Sequence, residues 1–218
     1  NEYPSTISNF NVTNEDNPSH LIDENSNFIL RNITLENIDQ AVFEALNRKL
    51  LCPFQYFGIT DSIDLSKVGW ERGRYVASEL SSLFTANDRR VREIISALEK
   101  YTKDLNEVRA LGFCVSMDHA KFMAEKFSLA GLKADYLTSE TNHNRDTVKH
   151  QLLQKKINYL FVVDIFNEGI DIPEIDTVLF LRPTESLTIF LQQLGRGLRL
   201  AENKDCLTVL DFVGNARP

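Results

Sequence analysis

The sequence predicts an α/β fold: a mostly parallel sheet with helices on both faces. From residue 110 onward, apolar strand-like runs alternate with helix-like segments, as in consecutive parallel strand–helix units. Residues 159–163 are apolar throughout, which is typical of a strand buried on both faces. Gly131 follows a segment with helical spacing of apolar residues, the usual place for a glycine that ends a helix.

The individual elements are predicted from their own patterns. Short apolar runs indicate strands at Ala110–Val115, Ala134–Leu137, Tyr159–Val163, Thr177–Leu181 and Leu207–Phe212. Helical spacing indicates helices at Asp118–Ala130, Asn142–Lys155 and Ser186–Leu194. These segments place the core of the predicted domain at residues 110–218.

The part before residue 110 is less regular. Residues 1–30 are rich in Asn, Ser, Asp and Glu and are expected to form a polar arm or connector. Residues 31–109 are expected to hold connecting helices, a first strand and an insert. The expected order is a helix at 33–50, a strand at 54–59, an irregular polar stretch at 61–74, and helices at 75–84 and after a cap at Asn87.

Composition excludes several classes of protein. The chain has 218 residues and a formal charge of −7, so strong nucleic-acid binding by bulk electrostatics is not expected, and any such binding needs a local face. No apolar run is long enough for a membrane span. Three cysteines without metal-ligand spacing indicate buried, reduced thiols, a cytoplasmic location and no metal site.

Two arginines, Arg196 and Arg199, stand three residues apart in the stretch 191–199, which also contains two glycines. Residues three apart lie on one face of a helix, whereas glycines cost stability there unless a backbone or ligand must approach closely. Arginine binds phosphate through a planar fork. We therefore interpret the pair as arginine fingers for a triphosphate. The alternative is a helix end whose basic residues favour the helix dipole.

Two other predicted strand ends carry polar residues. Ser116 and His119 stand where a strand turns into a helix, which is a natural anion site, although Ser116 is equally well explained as a helix cap. Residues 163–173 form a loop with three carboxylates, a glycine and a proline, for which solvated loop acids are the alternative. In parallel sheets, ligands bind at the carboxyl ends of the strands, so we expect all three segments at that edge.

These segments, in this order, resemble motifs IV, V and VI of superfamily 2 helicases and translocases. The sequence Glu-Gly-Ile-Asp-Ile-Pro at 168–173 is similar to motif V, and Gln-Gln-Leu-Gly-Arg-Gly-Leu-Arg at 192–199 is similar to motif VI. Residues 181–186 and 52–58 resemble DEAD/DEAH-like proteins of the bacterial type I and III restriction-motor group. The resemblance is strong over 110–214 and fair over 50–110.

The resemblance implies a RecA-like fold and a role as the second of two lobes that close on ATP. It implies that Arg196 and Arg199 reach the γ-phosphate, that Gln192 supports the same side, and that Gly169 and Asp171 lie near the ribose and the lobe interface. It further implies that nucleic acid is contacted at Ser116, His119, Thr138, Ser139 and Asp164. Val163 and Glu168 depart from RNA-directed members, which favours double-stranded DNA and leaves RNA open.

The sequence has no G-x-x-x-x-G-K-[ST] phosphate loop. ATP and Mg²⁺ are therefore expected to bind mainly to an N-terminal lobe of the same polypeptide, and this chain alone is expected to be inactive. The full-length protein is expected to be an ATP-dependent DNA helicase or translocase. The alternative is a non-catalytic RecA-like module that binds nucleic acid or a partner protein.

The stretch 70–75 mixes Trp70 and Tyr75 with arginines around a glycine. Such a loop could contact a nucleic-acid strand or another lobe. The favoured interpretation at this point is that both aromatic side chains pack beneath the domain, because buried aromatics dominate core energetics.

Overall fold

A computed structural model describes residues 52–71, 74–137, 145–163, 172–183, 199–202 and 204–215, without the side chains of 145 and 213–215. The eight strands in this part are β1 (Phe54–Asp64), β2 (Trp70–Glu71), β3 (Arg74–Tyr75), β4 (Ala110–Phe113), β5 (Ala134–Leu137), β6 (Tyr159–Val162), β7 (Thr177–Phe180) and β8 (Leu207–Asn215). The four helices are α1 (Ala77–Thr85), α2 (Asp88–Tyr101), α3 (Met117–Leu129) and α4 (Arg145–Leu153), and Leu65–Lys67 form a short 3-10 helix.

Six of these strands form one parallel sheet in the order β1-β8-β7-β4-β6-β5. The α/β class with a mostly parallel sheet is thus confirmed. The strand β1 pairs along β8, with Phe54 opposite Leu207, so a segment from before residue 110 completes the sheet. The predicted domain boundaries at residues 30 and 109 remain predictions.

The sheet is covered on both faces, as its apolar strands require. Alternate residues of each strand point to opposite faces. Leu111 and Val178 belong to the core cluster that includes Leu152 of α4, whereas Ala110 and Leu179 belong to the cluster formed with α2 and α3. The helices therefore lie on opposite sides of the sheet, which is the doubly covered arrangement that the sequence predicts.

The middle of the sheet leaves no room for a side chain at Gly112. A Cβ atom placed there would lie 2.5 Å from Cδ1 of Phe161. Phe161 is the residue of the neighbouring strand β6 that lies directly opposite Gly112. A small residue in the centre of a strand thus makes space for a large ring beside it.

The stretch 61–74 is more regular than the sequence suggests. The strand β1 runs on to Asp64, the 3-10 helix follows, and Trp70–Glu71 pairs with Arg74–Tyr75 as an antiparallel hairpin. The Asp64 side chain caps the 3-10 helix by accepting a hydrogen bond from the Ser66 backbone N–H at 2.9 Å. The sequence pattern did not reveal this structure, because short caps and turns separate the few apolar residues that it buries, among them Ile63, Leu65 and Val68.

Candidate functional site

The carboxyl ends of the three central strands lie side by side. Phe113, the last residue of β4, pairs with Val162 at the end of β6 and with Phe180 at the end of β7. Two backbone hydrogen bonds continue this alignment, from the Cys114 N–H to Val162 O and from the Leu181 N–H to Phe113 O. The segments that follow the three strands therefore leave the sheet from one edge, where ligands bind in such folds.

Ser116 is the cap of the helix that leaves β4. Its backbone is extended, and its Oγ accepts a hydrogen bond from the His119 N–H at 3.1 Å. Its hydroxyl also lies 2.6 Å from Oγ of Ser81 on α1. The capping interpretation of Ser116 is confirmed, and its predicted contact with nucleic acid remains a prediction.

The ring of His119 is buried beneath α1. Nδ1 accepts a hydrogen bond from the Val115 N–H at 3.3 Å, so the proton of the neutral ring is on Nε2, which has no hydrogen-bond partner among the described residues. The Phe84 ring lies 5.1 Å away. Burial, with a smaller contribution from the positive charge of Arg90, lowers the pKa of His119 to about 3. This histidine is uncharged at neutral pH, and its burial leaves no surface of the ring open to a nucleic-acid backbone.

A fully buried arginine joins three elements behind this edge. Nε of Arg90 on α2 is 2.6 Å from a carboxylate oxygen of Asp61 on β1, and both side chains are only 2% exposed. Its Nη2 donates a hydrogen bond to the carbonyl of Leu181 at 3.0 Å, and its guanidinium stacks 4.1 Å from the centre of the Phe84 ring. Arg90 thus connects β1 and α1 to the point where the chain leaves β7.

Arg199 lies exposed in a different place from the one the sequence suggests. Its carbonyl accepts a hydrogen bond from Nζ of Lys204 at 3.0 Å, and the same Nζ donates to the carbonyl of Pro173 at 2.9 Å. Pro173 leads into β7 and Lys204 leads into β8. Arg199 therefore lies beside the segments that enter these two strands, whereas the sequence placed its motif at their carboxyl ends.

Comparison with known proteins identifies the family. The model of the helicase conserved C-terminal domain matches residues 91–201, just over half of the chain. The chain belongs to the helicase conserved C-terminal domain family. IRC3 of Saccharomyces cerevisiae, an ATP-dependent helicase by name, is 31% identical over 177 residues, which cover 80% of this chain and 25% of IRC3.

Two solved structures agree with this assignment at the level of the fold. The E. coli DEAD-box protein SrmB, bound to regulator of ribonuclease activity A, has a TM-score of 0.52 at 20% identity over 74% of this chain and 78% of its own. The type ISP restriction-modification enzyme LlaBIII, bound to DNA, has a TM-score of 0.52 at 17% identity over 78% of this chain and 12% of its own. Together with the family match, these structures confirm the prediction of a helicase C-terminal lobe with an α/β fold.

This helicase C-terminal domain spans about a quarter of the length of IRC3. Seven of the residues assigned to sites by resemblance lie outside the described residues: Gln192, Arg196, Gly169, Asp171, Thr138, Ser139 and Asp164. The predicted helices at 33–50 and 186–194 also lie outside them. The roles of all these residues remain predictions.

The sequence did not predict the contacts of three side chains of the helicase domain: Asp61, Arg90 and Lys204. A signal existed for Arg90, because it precedes Ile94 by four residues and Ala97 by seven and so belongs to the apolar face of its helix. A charged residue on such a face indicates a buried partner. No comparable signal marks Lys204, because both of its described acceptors are backbone carbonyls.

Other features of the helicase domain concern thiols, metals and membranes. Cys52 and Cys114 are buried and Cys206 is half-buried, all as free thiols, and burial raises the pKa of each.

Within the described ranges, no three His, Cys, Asp or Glu side chains converge where a metal ion could bind. None of the helices in the described ranges has the length and apolar character to span a bilayer.

The hairpin β2–β3 exposes its tryptophan. Trp70 is 48% exposed, whereas its partner Tyr75 is only 5% exposed and belongs to a small core under α1. The two rings make an edge-to-face contact with centroids 4.7 Å apart. The prediction that both aromatics are packed beneath the domain is correct for Tyr75 and wrong for Trp70, whose ring lies against Tyr75 but outside the core.

We expect Trp70→Ala to leave the domain folded. The loss should be about 1 kcal/mol, the worth of an aromatic pair, whereas Tyr75→Ala should cost about 3–5 kcal/mol as a large-to-small change in a core. Urea denaturation followed by circular dichroism measures both. Unfolding of the Trp70 variant would show that the ring stabilises the core after all.

Proposed function

We propose that this chain is the second motor lobe of an ATP-dependent DNA helicase or translocase. The observation that carries the proposal is the exposed Arg199 at the end of a Q-x-x-G-R-x-x-R sequence, joined through Lys204 to the end of an E-G-I-D-I-P sequence. Membership of the helicase C-terminal family supports it. A domain that only bound a partner would have no chemical need for this combination.

In this proposal, Arg196 and Arg199 stabilise the negative charge that develops on the γ-phosphate during its transfer. A single arginine finger can contribute about 10³–10⁵ in rate, and because two arginines share the charge in this proposal, loss of either one is expected to cost about 10²–10³. The planar guanidinium of Arg199 suits this role, because its fork can bind two phosphate oxygens at once. Gln192 supports the same side of the phosphate, and Gly169 and Asp171 face the ribose and the lobe interface.

ATP itself is held mainly by an N-terminal lobe of the same polypeptide. The sequence of this chain has no phosphate loop, and the motif residues proposed here can only complete a site that another lobe begins. The described residues do not fit Mg²⁺, so we assign no step of this lobe to the metal ion. Mg²⁺ would be held with ATP on the other lobe, where it would neutralise phosphate charge.

The carboxyl edge of the sheet provides part of the nucleic-acid track. Ser116, His119, Thr138, Ser139 and Asp164 are the residues that the proposal assigns to it. Because Ser116 already caps α3 and His119 is buried, the proposal assigns the contact at this strand end to the exposed backbone at the start of α3. We favour DNA because the structurally similar LlaBIII was solved bound to DNA.

The isolated chain should not hydrolyse ATP above background, with or without DNA. The reason is that arginine fingers act only on a phosphate which another lobe holds in place. Phosphate release by the purified chain and by the full-length protein is the measurement. DNA-stimulated release by the full-length protein alone supports the proposal. Turnover by the isolated chain that Arg199→Ala abolishes would contradict the two-lobe arrangement.

A further inference from the structure

The ammonium group of Lys204 joins the ends of two sequence motifs that are far apart in the chain. Its Nζ donates hydrogen bonds to the carbonyl of Pro173 at 2.9 Å and to the carbonyl of Arg199 at 3.0 Å. Pro173 is the last residue of the motif V sequence, and Arg199 is the last residue of the motif VI sequence. One side chain therefore connects the two backbones.

The surroundings of Lys204 favour its hydrogen bonds to the two carbonyls. The side chain is half-buried, and burial lowers its pKa, while the neighbouring Cys52, Asp176 and Glu174 oppose that shift. A partly desolvated ammonium needs acceptors for its protons. The carbonyls of Pro173 and Arg199 are two such acceptors, and through the second of them the lysine is bonded to the backbone of Arg199.

We propose that Lys204 is a positioning residue that fixes Arg199 relative to the end of motif V. This inference rests on the proposed function, in which Arg199 acts on the γ-phosphate. A guanidinium that must meet a developing charge has to start from a defined backbone position. A misplacement of about 1 Å in such a site lowers the rate by about 10²-fold.

A lysine that only stabilised the fold would behave differently. Its loss would lower the unfolding midpoint and would increase amide exchange broadly, and the surviving folded protein would turn over ATP normally. A positioning lysine affects the local backbone and the chemical step together. Two measurements separate these possibilities, one on this chain and one on the full-length protein.

The variant is Lys204→Met, which keeps the unbranched stem and removes the donors. The matched control is Lys126→Met, because Lys126 is 31% exposed and pairs with Asp88 at 2.7 Å on a different part of the domain. Hydrogen exchange of residues 192–202 and 168–173 is followed in this chain. For the full-length protein, kcat and KM for ATP are measured together with the thermal midpoint.

We expect faster exchange in those two segments only, and a fall in kcat of about 10²-fold with KM for ATP little changed. Lys204→Arg keeps the charge and donors and should recover most of kcat, and the control should match the wild type. Unchanged exchange, or normal kcat in Lys204→Met, overturns the inference. If Arg199→Ala also keeps normal kcat, the proposed function has failed; if only Lys204→Met does, the positioning role alone has failed.

Discussion

The variant Arg90→Met should lose about 3–5 kcal/mol of unfolding free energy, the usual effect of removing one partner of a buried ion pair. Asp61 would keep only the hydrogen bond from the Ile63 N–H, at 3.1 Å, and the carbonyl of Leu181 would lose its arginine donor. Domains of this kind are stable by only about 5–15 kcal/mol. Urea denaturation of the purified chain measures the loss.

The neighbouring arginine provides the control. The side chain of Arg89 is 73% exposed and pairs with Glu93 one turn along the same helix, and exposed pairs of this spacing contribute only about 0.3–0.5 kcal/mol. The double variant Asp61→Leu with Arg90→Met should recover much of the loss, because apolar residues can replace a buried pair at little cost. Equal stability of Arg89→Met and Arg90→Met would mean that the buried pair contributes nothing.

The second large effect concerns catalysis by the full-length protein. Arg196→Ala and Arg199→Ala should each lower kcat by an amount equivalent to about 2.7–4 kcal/mol, as for other preorganised groups that stabilise developing charge. The fold should stay intact, and ATP affinity should change little, because in the proposed arrangement another lobe holds the ground-state nucleotide. Steady-state kinetics, with nucleotide affinity measured separately, test this expectation.

Further substitutions separate the effect of charge from that of the arginine fork, and the chemical step from nucleotide binding. Lysine at 196 or 199 should restore little activity, because an ammonium cannot reproduce the bidentate fork of arginine. Asp171→Ala should weaken nucleotide binding or its coupling to DNA before it affects the chemical step. If Arg196→Lys and Arg199→Lys restored full kcat, the charge alone would matter and the fork would not.

The fold was predictable from the sequence wherever apolar periodicity was strong. The strand at 134–137 was predicted to the residue, and the other five predicted strands end within one to five residues of their predicted ends. The helix after Asn87 was predicted with its cap, since the side chain of Asn87 accepts a hydrogen bond from the Arg90 N–H. Helix α1 begins at Ala77 rather than at Tyr75, because Tyr75 belongs to the hairpin.

The candidate site was less predictable, since its contacts join distant parts of the chain. No local pattern shows that Arg90 meets Asp61 and Leu181, or that Lys204 meets Pro173 and Arg199. The burial of His119 was also hidden, because a histidine at the start of a helix has the same sequence pattern whether or not another helix covers it. In each case, tertiary packing decides what the side chain can reach.

The most direct measurement of the central claim is phosphate release in a single turnover from ATP already bound to the full-length protein with DNA. This measurement separates the chemical step from nucleotide binding. We expect Arg199→Ala to slow release by about 10²–10³-fold and Arg89→Ala to release phosphate at the wild-type rate. Release at the wild-type rate by both Arg196→Ala and Arg199→Ala would show that the motif is only the basic end of a helix.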